Sequence, residues 1–121
     1  MPKNNILKEK SFSFALKIIN LYKQLVEKRE FILSKQLLRS GTAIGALIRE
    51  SENAASSKDF LNKLTVARKE ADETHYWLEL LHQSEYISLE VFQSLSGNCG
   101  ELISMLIASL KTIKTKINSP L

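Results

Sequence analysis

Apolar residues recur along this chain at the spacing of amphipathic helices, in four long runs separated by short polar breaks. The first run spans about residues 11–28. At the helical turn angle, Phe12, Ala15, Leu16, Ile19, Tyr22 and Val26 share one stripe, and Phe14, Ile18, Leu21 and Leu25 extend it around the side. The combined apolar arc covers roughly 200°, about twice what a surface helix buries. One bundle core covers half of that arc, so something else should cover the rest.

The second run, about residues 35–53, follows Ser34, which is placed to cap it. Leu33, Leu37, Ser40, Ile44, Leu47, Ser51 and Ala54 keep the alternating spacing of a bundle seam, with Leu38, Gly41, Gly45 and Ile48 beside them. A glycine inside a helix costs about 1 kcal/mol relative to alanine, so Gly41 and Gly45, one turn apart, predict that another backbone passes close by. The third run, about residues 57–83, opens on Ser56 and Asp59 in the pattern of a capping box. Phe60, Leu64, Ala67, Ala71, Thr74, Leu78 and Leu81 form its seam. The fourth, about residues 89–117 after Ser88, buries Phe92, Leu95, Cys99, Leu102, Leu106, Ile113 and Ile117 in this reading, with Ile103, Ile107 and Leu110 alongside. Gly97 and Gly100 predict a kink or an interrupted start in it.

The links near residues 29–33, 54–57 and 84–88 are short, which forces antiparallel neighbours. The fold class is therefore all-α, an antiparallel up-down-up-down four-helix bundle forming one domain over residues 1–121, with fraying expected from Asn118 to Leu121. Composition agrees: four Gly and two Pro, the latter at Pro2 and Pro120, are too few breakers for a β-rich chain. The lone Cys99 excludes an internal disulfide framework and fits a reducing cytoplasm. The polar opening Met1-Pro2-Lys3-Asn4-Asn5 predicts no signal peptide, and no apolar run reaches the ~18 residues that a membrane span needs.

Charge is uneven. Residues 1–50 hold ten Lys and Arg against four Asp and Glu, whereas residues 51–100 hold four against eight. A basic half beside an acidic quarter suits pairing between protein surfaces and leaves a patch for an anionic partner.

Candidate chemistry is sparse. Arg68, Asp72, His75, Glu79 and His82 line one polar stripe of the third helix. His75, Glu79 and His82 are spaced to touch one ion, and Glu79-x-x-His82 has a di-iron spacing, but such sites need that motif on each of two helices plus two further Glu, whereas both His of this chain lie on the third helix and the fourth offers only Glu101 as a facing carboxylate. The Arg68…His75 spacing echoes some helical ribonucleases, but it arises often by chance in a charged helix. No metal, cofactor or catalytic residue is assigned, and Cys99 on a seam has no base to activate it. Two features stand above that background. Glu70 and Glu73 share a flank of the third helix with Val66 and Trp77 and call for cations, for which Arg39 and Arg49 are the candidates. Lys35, Arg39 and Arg49 belong to a polar stripe on the second helix that would contact phosphates, or else supply those ion pairs.

The stretch Phe31–Ser84 carries a family likeness. Gln36-Leu37-Leu38-Arg39-Ser40-Gly41-Thr42-Ala43-Ile44-Gly45, Ile48-Arg49-Glu50, Lys58-Asp59-Phe60, Lys69-Glu70-Ala71-Asp72-Glu73-Thr74 and Tyr76-Trp77-Leu78-Glu79-Leu80-Leu81 follow in the order and spacing of the 23S rRNA-intervening sequence proteins, which this chain resembles. Leu47 stands where many relatives have Asn, and His75 where they often have a basic residue. The resemblance implies a closed four-helix bundle that assembles as a ring, often a homopentamer. One branch is the accessory protein of diversity-generating retroelements, a basic ring that partners a reverse transcriptase and nucleic acid. The leading expectation is thus a non-enzymatic, cytoplasmic homo-oligomeric scaffold with a basic surface for RNA or DNA. An adaptor that binds only protein is the alternative, and a metal-dependent or nuclease-type enzyme the third.

Overall fold

The computed structural model describes residues 2–118, with side chains from residue 6 onward. Four helices, α1 (Pro2–Glu27), α2 (Leu33–Ser51), α3 (Ser57–Gln83) and α4 (Leu89–Ile117), pack each against the next, and α1 closes on α4 over a shorter seam. The architecture is the all-α four-helix bundle that the periodicity predicts. α1 begins a full two turns before Ser11, since Lys3-Asn4-Asn5-Ile6-Leu7 contains no breaker and Leu7 is buried. Beyond Asn118, the terminal residues expected to fray lie outside the described part of the chain.

The two faces of α1 are exchanged relative to the sequence reading. Phe14, Ile18, Leu21 and Leu25, read as the side of the stripe, are the core, joined by Leu7 and Ser11. Phe12 and Leu16, read as its centre, are 50% and 54% exposed. Both sets repeat at similar spacing, so periodicity alone does not rank them. The seam of α3 is as expected, from Leu64 through Ala67, Ala71, Thr74 and Leu78 to Leu81, all buried. On α2, Ile48 is buried where Leu47 was expected, and Leu47 is only partly covered.

The glycines of α2 mark where α1 approaches. A Cβ on Gly41 would lie 2.9 Å from Ile18 Cγ1 and Cγ2, and one on Gly45 would lie 3.4 Å from the Ser11 carbonyl oxygen. Gly97 and Gly100 behave differently: α4 runs through both without interruption, and nothing lies near either. Inside the core, Thr74 Oγ1 sits 2.9 Å from Ser40 Oγ and 2.7 Å from the Glu70 carbonyl oxygen, so the buried hydroxyls of α2 and α3 satisfy one another.

Caps explain the boundaries. Ser56 Oγ accepts from the Asp59 N–H at 3.0 Å, and Asp59 Oδ2 accepts in return from Ala55 N–H at 3.1 Å. Ser88 caps α4 through Val91 N–H at 3.1 Å. Ser34 does not cap α2. It lies inside the first turn, and the buried Glu30 does the work, its carboxylate accepting from the N–H groups of Ile32, Leu33 and Ser34 at 3.3, 3.1 and 2.6 Å. An acidic group there satisfies the orphan donors and complements the helix dipole. α1 and α3 end alike, with Arg29 (φ 64°) and Glu85 (φ 67°) left-handed and the following N–H reaching back to Leu25 O and Leu81 O at 2.9 Å. Glycine usually fills that position.

Candidate interaction surface

Residues predicted from charge converge on the flank between α2 and α3. Arg39 Nη2 donates to Glu73 Oε2 at 2.7 Å, and Nη1 to Glu70 Oε2 at 3.3 Å. Trp77 Nε1 donates to Glu73 Oε1 at 3.3 Å, and the Tyr76 ring meets the Trp77 ring edge-on with centroids 5.1 Å apart. One guanidinium therefore answers two carboxylates, leaving a net negative cluster. Glu70 Oε1 is buried without a hydrogen-bond partner. The bond from Arg39 holds the Glu73 carboxyl below the usual carboxylate range against the opposing effect of burial, and the Arg39 guanidinium is pushed up mainly by Glu73.

Arg49 does not join this cluster. Its guanidinium lies 5.1 Å above the centre of the Phe12 ring on the α1 side of α2, a cation–π contact that links the two helices. Lys35 is exposed near the start of α2. Neither Lys35 nor Arg49 forms an ion pair among the described residues. Beside Arg49, the outer face of α1 presents Phe12, Leu16, Ile19, Lys23 and Val26 at the alternating spacing of a helix seam. Their α1 neighbours toward α4 are polar: Lys10 Nζ reaches Glu101 at 3.2 Å, and Lys17 Nζ donates to Asn98 Oδ1 at 3.1 Å.

Comparison with known proteins places the chain. The model of the family described as 23S rRNA-intervening sequence protein matches residues 3–108. The chain belongs to that family. It is similar to the crystal structure of a protein of unknown function from the S23 ribosomal protein family of Bacteroides thetaiotaomicron. The two share 55% identity over 90% of this chain and 98% of the other, with a TM-score of 0.89. A search of curated proteins finds no match.

Within the bundle, the polar stripe of α3 resolves into local pairs. His75 Nδ1 lies 3.1 Å from Glu79 Oε1, Arg68 Nε lies 3.9 Å from Asp72 Oδ2, and His82 stacks on Phe92 with centroids 4.8 Å apart. His82 thus faces an aromatic ring, and among the described residues no three metal-ligating side chains converge. Cys99 is fully buried, and its thiol donates to the Ala71 carbonyl oxygen at 3.2 Å. Burial pushes that thiol up to about 12, with Asp72 adding to the shift, so it offers neither thiolate nor access.

Sequence reasoning missed three features. Glu30 as a helix cap was legible in principle, since an acidic residue precedes the first turn of α2 by three positions. The Phe12–Arg49 contact and the orphaned Glu70 oxygen depend on which helices are neighbours, and no local signal marks them.

Proposed function

We propose that this protein is a non-enzymatic helical scaffold that acts as a ring of identical copies. The observation that carries the reading is the outer face of α1. The core is complete without Phe12 and Leu16, yet both are half exposed at seam spacing, and large apolar side chains are not left uncovered in a row without a partner. The family's description names no enzymatic activity. Light scattering at micromolar concentration is expected to give several times the 13.7 kDa of one chain. A monomer overturns the scaffold reading, and a dimer overturns the ring.

Contact with RNA or DNA is the second reading. It rests on Lys35 and Arg49, whose charges have no carboxylate partner among the described residues, and on a family named for a 23S rRNA intervening sequence. Phosphate contacts lose affinity steeply as salt rises. Retention on RNA that falls with salt, and whose salt dependence flattens in a Lys35→Ala, Arg49→Ala double variant, supports it. Salt-independent behaviour leaves a scaffold that binds only protein.

A further inference from the structure

The end of the bundle that holds the α1–α2 and α3–α4 links concentrates uncovered apolar surface. Of the nine large apolar residues exposed among the described ones, four lie there: Phe31, Ile32, Tyr86 and Leu89. Ile32, at 76%, is the most exposed of the nine. Leu33 and Ile87, from the same two segments, pack into the core, so the core is served without these four. The frame that holds them out is pinned. The Glu30 carboxylate fixes the start of α2 through three N–H groups, and Lys28 Nζ donates to the Tyr86 carbonyl oxygen at 3.1 Å, which ties the two links side by side. A surface fixed in advance loses little freedom on binding.

The two links are opposite in charge. Around the α1–α2 link, Lys28, Arg29 and Lys35 are exposed beside one exposed carboxylate, Glu27, because Glu30 is buried in its capping role. Around the α3–α4 link, Glu85 and Glu90 are exposed, and the chain holds no Lys or Arg from residue 70 to residue 110. None of these six side chains forms an ion pair among the described residues. Lys17, which lines the α1–α4 groove with Glu90, donates to Asn98 instead. The next charges up the helices keep the pattern, with Lys23 exposed on α1 and Glu79, beside His75, on α3.

We propose that two copies meet end to end through this tip, about a two-fold axis running along the boundary between the links. The cationic α1–α2 link of each copy then covers the anionic α3–α4 link of the other, with the apolar side chains enclosed between them. A patch that carries both signs in separate halves is complementary to itself, which is what a two-fold contact requires. A two-fold axis across the boundary sets like links on each other, and like charge disfavours it. A partner of one sign fits less well: a phosphate-rich surface meets Glu85 and Glu90, and a basic one meets Lys28, Arg29 and Lys35. The contact does not use the outer face of α1, so it goes beyond the lateral ring proposed above. A four-helix end is about 20 Å across and offers about 400 Å², less than the roughly 800 Å² per partner of a standard interface. The pair is therefore expected to form and dissociate with concentration.

Sedimentation over a concentration series tests it. The parent is expected to double its mass as concentration rises. Ile32→Asn changes an exposed side chain, so circular dichroism should show folded helices, and Leu89→Asn replaces it if that variant melts early. It is expected to need about tenfold more protein to double, as for the loss of one apolar anchor. Arg29→Glu and Glu85→Arg exchange the residues at the two left-handed positions, each of which already hosts the other side chain's type of conformation. Each neutralises one link and should weaken doubling several-fold. Mixed in equal amounts they should pair better than either alone, because the intact cationic link of one chain then meets the intact anionic link of the other. A parent that never doubles, or an Ile32→Asn variant that doubles as readily, overturns the end-to-end contact and leaves the lateral ring standing. Loss of the smaller assembly itself in Ile32→Asn puts the tip inside the lateral contact and also overturns it. A mixture no better than its components overturns the pairing of unlike links. A parent that passes only between one chain and two, and stays single in Ile32→Asn, supports the tip contact and overturns the ring.

Discussion

α1 carries two apolar seams of nearly the same spacing and opposite fate. Leu7, Phe14, Ile18, Leu21 and Leu25 are buried, with Ile18 and Leu25 wholly inaccessible, whereas Phe12 and Leu16 on the outer seam are half in water. Apolar character does not separate them. What separates them is what each faces: α2 presents Gly41 and Gly45 to the inner seam, whereas on the outer seam Arg49 reaches Phe12 but leaves Phe12 and Leu16 half exposed. The amount of hydrophobic surface on a helix therefore states how much must be covered, not by which neighbour.

The largest expected contrast comes from placing a charge on each seam. Ile18→Asp buries an unpaired carboxylate at a fully enclosed site, which costs several kcal/mol and rivals the whole stability of a small domain. It should be unfolded by circular dichroism, as should Leu64→Asp and Leu78→Asp on α3. An Ile18→Asp variant that melts like the parent would show that the inner seam is not the core.

The glycines sharpen the contrast at the next scale. Gly41→Ala forces a methyl to 2.9 Å from two carbons of a β-branched side chain that has no room to turn, and a cost of about 1–3 kcal/mol is expected in a denaturant titration. Gly45→Ala meets its neighbour at 3.4 Å and gains helix propensity, so it should be neutral or stabilising by up to about 1 kcal/mol. Equal effects at both positions would mean that Ile18 does not sit against Gly41.

The polar flank should respond less. Arg39 is half exposed, so Arg39→Ala is expected to cost under about 1 kcal/mol in the monomer, and the Arg39→Ala, Glu73→Ala double variant less than the sum of the two. The sign of the pH effect follows from Glu73. Its carboxyl in the fold lies below its ordinary value, so its stabilisation is present above that value and is lost as pH falls through the folded one. The thermal midpoint difference between parent and Glu73→Gln should therefore shrink on acidification below about pH 4. The smallest effect on folding belongs to Leu16→Glu, whose thermal unfolding as a monomer should stay within about 0.5 kcal/mol of the parent's. A larger loss would place Leu16 in the core after all.

Much was fixed before any neighbour was known. Helix number, the α3 seam from Leu64 to Leu81, the Ser56 and Ser88 caps and the short links that force antiparallel packing are local properties, set by periodicity, hydrogen-bonding side chains and chain length. The attraction of Arg39 for Glu70 and Glu73 was also legible, because carboxylates beside a tryptophan need a cation and an arginine stood on the adjoining helix. Tertiary structure alone decided the rest. It chose Phe14 and Ile18 over Phe12 and Leu16, because two seams of equal spacing can be ranked only by the surface each meets. It sent Arg49 to the Phe12 ring instead of to a carboxylate, and it handed the cap of α2 to Glu30 rather than Ser34, because the rotation of one helix against another and the path of a turn are settled by packing across the bundle.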